Sequence, residues 1–187
     1  MSLLPITLYG DKILRKKTSD VSDVDMETVK LVRDMFETMK NASGIGLAAN
    51  QVGADKQIFI VDLSAVEGYE QSKPVVFINP EIKKISEEKI VMEEGCLSIP
   101  DVRSEVERPK TVVIKFLDTN MKEQELEAGE LLARVIQHEF DHLQGVLFID
   151  RISDELKKKL KKDLDKIKRR KIAFDYPVTE HVDYQLL

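Results

Sequence analysis

A single cysteine, Cys96, is the only thiol in this 187-residue chain, so an internal disulfide is excluded. That usage fits a reducing compartment and leaves one thiol whose purpose has to be found. No apolar run comes near the roughly 20 residues a membrane helix needs. The opening Met1-Ser2-Leu3-Leu4-Pro5 has no basic stretch leading into an apolar one, and it is not Arg/Ser-rich. Neither a signal nor a transit peptide is therefore expected, and the expected location is the cytoplasm, without membrane or DNA partners. Repeats, low-complexity tracts and linkers are also missing. Residues 1–187 are expected to form one catalytic domain, with 172–187 as a C-terminal tail.

The charge is unevenly placed. Residues 157–171 hold ten Lys/Arg against two Asp, a local +8 on a chain of net −5, which leaves −13 for the rest. Such a bias points to an acidic partner for that one element.

Residues 25–41 carry Met26, Val29, Val32, Met35, Phe36 and Met39 at helical spacing, with Asp23 or Asp25 as cap and Asn41 and Gly44 as stop. Strands are expected over 57–63, 74–78, 82–93, 102–108, 111–118 and 122–128, broken by Pro100, Pro109 and Asp118-Thr119-Asn120. Connections this short join strands antiparallel. Helices are expected over 129–143 and over 153–171, the latter capped by Ser153 and buried through Leu156, Leu160, Leu164 and Ile167. A block of strands with helices at either end predicts an α+β fold.

The pattern His138-Glu139-Phe140-Asp141-His142 is HExxH. On a helix, positions four apart share a face, so both imidazoles reach one cation, and the offset glutamate reaches a water beside it. Leu131 and Val135 lie on the same face as His138, which turns the histidines inward. Two core histidines bonded to carbonyls are the alternative. A catalytic metal usually takes three protein ligands. Phe148 stands where a metzincin has its third histidine, and Glu155 is only thirteen residues past His142 at a polar helix start, a poor match to the distant glutamate of thermolysin-like enzymes. His181 lies in the tail and reads as solvated. Cys96 remains, and a thiolate with two imidazoles suits Zn²⁺ or Fe²⁺ over Mg²⁺ or Ca²⁺. By itself Cys96 also reads as a small buried hydrophobe. The segment Gly44–Gly53 reads on its own residues as a close-approach loop or as a structural turn that Gln51 merely caps.

Three stretches read together are more specific. Gly44-Ile45-Gly46-Leu47-Ala48-Ala49-Asn50-Gln51, Glu94-Gly95-Cys96-Leu97-Ser98 and Gln137-His138-Glu139-Phe140-Asp141-His142 resemble, in order and spacing, the three motifs of the peptide deformylase family, and the resemblance spans about residues 5–170. It implies antiparallel sheets packed around the HExxH helix, a C-terminal helix, and a monomer or weak dimer. It implies hydrolysis of the formyl group from the initiator methionine of nascent polypeptides, with release of formate. Cys96, His138 and His142 would hold one divalent cation, Fe²⁺ in the cell, with Zn²⁺, Ni²⁺ or Co²⁺ as substitutes. Glu139 would move the proton, and Gln51 with the Leu97 N–H would bind the oxyanion.

Ile45, Met92, Leu131 and Val135 would wall the methionine pocket, with Gly46 and Gly95 pairing to the N-formylmethionyl peptide as a strand. Asn50 replaces a residue that is often Pro, Thr or Val. Arg134 replaces an aliphatic residue, and its methylenes are expected along the pocket wall with the charge outside. The basic helix would bring the enzyme to ribosomes. The competing enzyme class is a small intracellular HExxH metallopeptidase, and a metal-bound interaction module is the non-enzymatic alternative.

Overall fold

The computed structural model describes residues 2–180, so His181 lies outside the described residues. The helices are α1 (Met26–Asn41), α2 (Glu130–Leu143) and α3 (Asp154–Lys168). The strands are β1 (Gly46–Ala48), β2 (Ile58–Val61), β3 (Val75–Ile85), β4 (Lys89–Cys96), β5 (Ile99–Pro109), β6 (Thr111–Leu117) and β7 (Glu123–Gly129). Five strands pair antiparallel in the order β1-β2-β3-β6-β7, and β4 and β5 form a separate hairpin. The fold is α+β, with the HExxH helix packed on the large sheet.

The packing follows from period. In β2 every residue is buried, because alternate side chains meet different layers. Phe59 and Val61 face α2 in one core with Phe77, Val135 and Ile136, and the Phe59 and Phe77 rings stack at 4.4 Å. Ile58 and Ile60 face the other way, onto Met35 and Met39 of α1. A third core lies between the hairpin, the N-terminal segment and α3, where Ile6, Leu8, Ile99, Val106, Leu164 and Ile167 meet.

Caps fall where the side chains allow. Asp25 accepts the Thr28 N–H at 2.7 Å, and Ser153 accepts that of Leu156 at 3.3 Å. The segments expected over 74–78 and 82–93 divide differently: β3 runs through Pro80 to Ile85, and β4 starts at Lys89. Pro80 is tolerated because the β3–β6 register shifts between Ile78 and Glu81, where the ladder has no use for its missing N–H. Asn79 takes φ 47°, and its side chain bonds both the N–H and the carbonyl of Val21 at 2.8 Å. Gly46–Ala48, expected only as a loop rich in small residues, pairs with β2 as an edge strand. No described helix is long and apolar enough to cross a membrane.

Candidate active site

The site forms where the end of β4 meets the buried face of α2. His138, Glu139 and His142 are 9%, 4% and 1% exposed. One helical turn stacks the two rings edge-on, with centroids 5.1 Å apart. Opposite them the hairpin register breaks between Gly95 and Cys96, and this turns Cys96 toward the helix. Its Sγ is 3.2 Å from His142 Nε2, and one donor atom each from Cys96, His138 and His142 lies within 4.8 Å of the others. Around a tetrahedral cation with ordinary Zn–S and Zn–N bonds, such atoms stand about 3.5 Å apart. A soft sulfur and two borderline nitrogens therefore converge at the spacing a transition metal needs, and the residues fit such an ion.

Glu94, two residues before Cys96, orients the first histidine. Its Oε2 is 2.9 Å from His138 Nδ1, which leaves Nε2 for the centre of the cluster. Glu94 is itself gripped by Arg108 at 2.6 and 2.8 Å and by Arg134 at 2.7 Å. Burial alone would raise its pKa, yet hydrogen bonds from Arg108 and His138 hold it well below the ordinary carboxylate range. For His138, burial favours the neutral ring, but the Cys96 sulfur close by and the hydrogen bond with Glu94 outweigh it and carry the group up to about 10. A cation at these atoms would compete with protons for the same nitrogen, so its affinity weakens as the pH is lowered. Burial holds His142 neutral, its pKa well below the usual value.

Glu139 is pushed up to about 7, first by burial and then by the charge of Glu94, against the opposing His138. Its Oε2 is buried with no hydrogen-bond partner, on the wall of a cavity of about 460 Å³. Gly46 is required beside it. A Cβ there would sit 2.5 Å from Glu139 Oε1 and 2.8 Å from Val135 Cγ1.

Gln51 combines the two readings of its loop. Its Oε1 accepts the Ala48 N–H at 2.8 Å, as a cap would. That anchor points Nε2 into the site, 3.5 Å from Cys96 Sγ and 3.2 Å from Ser98 Oγ. Asn50 faces away and donates to the His142 carbonyl at 2.6 Å, tying the loop to the end of α2.

Ile45, Gly46, Gln51, Gly95, Cys96, Leu97, Leu131, Val135, His138 and Glu139 all line the cavity. Met92 does not line it. Val91 on one face of β4 is exposed and Met92 on the other is half-buried, on the same side as Ile90 and Glu94. The expectation for Arg134 is corrected. It borders the cavity, but its guanidinium is inside the protein, 4% exposed, bonded to Glu94 and to the Val106 and Ile90 carbonyls at 2.8 and 2.7 Å. Those carbonyls and a carboxylate replace water, so the charge has no need to reach the surface. Glu94 had no role assigned from sequence. The available signal was the general habit of metal-bound imidazoles to donate to a carboxylate. Tyr176 of the tail, also without an assigned role, reaches the cavity too.

Comparison with known proteins agrees with this geometry. A family model described as polypeptide deformylase matches residues 3–158. The peptide deformylase of Chlorobium phaeobacteroides (strain BS1) is 47% identical over 181 residues, 97% of each chain. That of Rhizobium meliloti (strain 1021) is 48% identical over 164 residues, 88% of this chain and 90% of the relative. Among solved structures, a plant peptide deformylase superposes with a TM-score of 0.85 at 36% identity, covering 97% of this chain and 98% of its own. The Ehrlichia chaffeensis peptide deformylase in complex with actinonin gives 0.83 at 40% identity, over 92% of this chain and 100% of its own. The chain belongs to the polypeptide deformylase family and is a hydrolase that removes formyl groups from nascent peptides.

Proposed function

We propose that Cys96, His138 and His142 hold one divalent cation, and that Glu139, Gln51 and the Leu97 N–H carry out deformylation beside it. The observation that carries this reading is the convergence of the three donor atoms within 4.8 Å of one another, beside the cavity that Cys96, His138 and Glu139 line. The cation supplies Lewis acidity, which makes water a competent nucleophile near neutral pH. Glu139 accepts the proton of the attacking water and returns it to the departing amine nitrogen, and a pKa near 7 suits both halves of that transfer. Gln51 Nε2 and the Leu97 N–H donate to the former carbonyl oxygen as it gains charge. The products are formate and a peptide with a free amine.

Ile45, Leu131 and Val135 are the walls for the methionine side chain, and the Gly46 and Gly95 backbones are edges for the peptide. Contact with Met92 is not part of this reading. Gly46, Gln51 and Leu97 crowd the space around the reacting carbon, which favours formyl over larger acyl groups. That restriction separates a deformylase from an endopeptidase, whose cleft stays open on both sides. Fe²⁺ is the proposed cellular metal, with Ni²⁺, Co²⁺ and Zn²⁺ as substitutes, because a thiolate and two imidazoles serve all four. Protein purified anaerobically should carry one equivalent of iron and hydrolyse formyl-Met-Ala-Ser. It should leave casein and the unformylated peptide intact, and lose activity in air as iron and thiolate oxidise. Casein cleavage, or stable full activity with stoichiometric zinc, would overturn the substrate or the metal respectively.

The enzyme is further proposed to work in the cytoplasm at ribosomes, as a monomer or weak dimer, with α3 as its docking element. Lys158, Lys161, Lys162 and Lys168 are exposed and form no ion pair among the described residues, whereas Lys159 and Lys166 pair within the helix. Binding through phosphate neutralisation should weaken steeply with salt. Changing these four lysines to Glu should abolish cosedimentation with ribosomes and leave formyl-tripeptide hydrolysis unchanged. Unaltered cosedimentation at low salt refutes the docking role.

A further inference from the structure

The chain does not end its structural work at α3. After Lys168 it turns back at Arg170, which takes φ 54°, and runs beside the N-terminal segment. Arg170 grips Asp11 at 2.8 and 2.9 Å, and Thr179 bonds the same carboxylate at 2.9 Å. Ile6 donates to the Pro177 carbonyl at 2.8 Å and accepts from Thr179 at 2.9 Å, so Ile6 and Val178 bridge in parallel. Ile172, Phe174, Tyr176 and Val178 follow strand period, and all four pack on the core that Cys96 and Leu97 also touch.

This returning segment ends at the active site. The Tyr176 hydroxyl donates to the Leu97 carbonyl at 2.7 Å, and the ring borders the catalytic cavity. Burial, with the nearby Cys96, pushes the phenol upward, so it remains protonated and a donor throughout the working range. Two bonds from the N-terminal segment hold neighbouring groups. Tyr9 N–H donates to the Ser98 carbonyl at 2.8 Å, and Thr7 N–H to the Gln51 carbonyl at 2.7 Å. The tail thus braces the N-terminal segment, and together they hold both sides of the proposed oxyanion site. Within the turn between β4 and β5, the Leu97 carbonyl is held by a side chain from 79 residues away.

We propose that Tyr176 is a positioning residue for catalysis, which fixes the Leu97–Ser98 turn so that the Leu97 N–H is aimed at the developing oxyanion. This rests on the reading of Leu97 and Gln51 as the oxyanion donors. A Phe at 176 keeps the ring against the core and removes only the hydroxyl. Loss of a whole oxyanion donor costs about 10²–10³-fold in kcat, and loosening one should cost less, about tenfold.

The experiment compares wild type, Tyr176→Phe and Gln51→Ala in kcat, KM, metal content, Tm and amide exchange across residues 96–98. For Tyr176→Phe the expected result is kcat down about tenfold, KM within about twofold, metal content unchanged, Tm lower by no more than the about 2–4 °C that one lost hydrogen bond accounts for, and faster exchange of the turn amides. Wild-type kcat in Tyr176→Phe with a large loss in Gln51→Ala overturns the role of Tyr176 alone. Wild-type kcat in both overturns the placement of the oxyanion as well. A kcat loss accompanied by lost metal, or by a Tm fall well beyond about 4 °C, also overturns the proposal, because Tyr176 would then serve only the fold.

Discussion

Replacing Glu94 with Gln tests the charged cluster under the site. The Glu94 carboxylate accepts four hydrogen bonds, two from Arg108, one from Arg134 and one from His138 Nδ1, at 2.6–2.9 Å. Gln offers one acceptor oxygen and one amide nitrogen. With the oxygen facing Arg134 and Arg108 Nε, the amide points its hydrogens at Arg108 Nη2 and His138 Nδ1. Two bonds become donor-to-donor contacts, and two buried arginines, 2% and 4% exposed, lose a counter-charge.

Breaking a buried ion pair on one side costs about 3–5 kcal/mol. For a chain of this size each kcal/mol lowers Tm by about 2–4 °C, so a fall of about 6–20 °C is expected by calorimetry of the metal-free protein. The effect has a definite pH signature. Glu94 is held well below its ordinary 4.5, so its contribution is complete above that pH and disappears as the folded protein takes up the proton. The gap between wild type and Glu94→Gln should therefore be full at pH 6–8 and narrow below about 4.5. A Tm within about 2 °C of wild type at pH 7, or a gap that widens in acid, refutes the argument.

Cys96→Ser should lower bound metal and nearly abolish deformylation, since a neutral hydroxyl is a weak ligand for a soft site; full occupancy by metal analysis would remove Cys96 from the centre. Glu139→Gln should keep the metal and reduce kcat by about 10²–10⁴-fold, whereas loss of metal would make Glu139 a ligand. Gly46→Ala should retain metal and fold but lower kcat by about 10–100-fold, because its methyl group would press on Glu139 Oε1 from 2.5 Å; unchanged kinetics would show that the edge strand yields without cost.

The features legible in the sequence were those with short-range periodicity. The α2 face was readable because His138, His142, Leu131 and Val135 share one helical stripe, and α1 and α3 because their caps, Asp25 and Ser153, precede apolar residues at the same spacing. What escaped depends on partners far away in the chain. The strands expected over 74–78 and 82–93 left out the join through Pro80, because nothing local announces the register shift that accommodates it. Arg134 looked like a surface charge because its acceptors, Ile90, Glu94 and Val106, lie 28 to 44 residues away on the hairpin. Met92 sits in the right strand, but whether a strand face meets the cavity or the hairpin's own packing is a tertiary matter. Tyr176 was invisible for the same reason, since its partner Leu97 is 79 residues off.

The charges beneath the site do something that apolar packing would not. Two segments supply the three clustered donor atoms, β4 with Cys96 and α2 with His138 and His142, and among the described residues no backbone ladder joins them. Hydrophobic contact would hold them together but is non-directional and tolerates sliding. Here Glu94 and Arg108 of the hairpin interlock with Arg134, His138 and Asp141 of the helix, with Arg108 to Asp141 at 2.6 Å. Arg151, just past the next turn, closes on Asp141 from the far side. Moving the hairpin along the helix by even part of a turn would leave several buried charges unpaired at once, whereas an apolar seam would repack at lower cost. The cluster therefore acts chiefly on register. It sets where Sγ of Cys96 stands relative to the two imidazoles, and the lever arm is short, because Glu94 is two residues from Cys96 and bonds His138 directly.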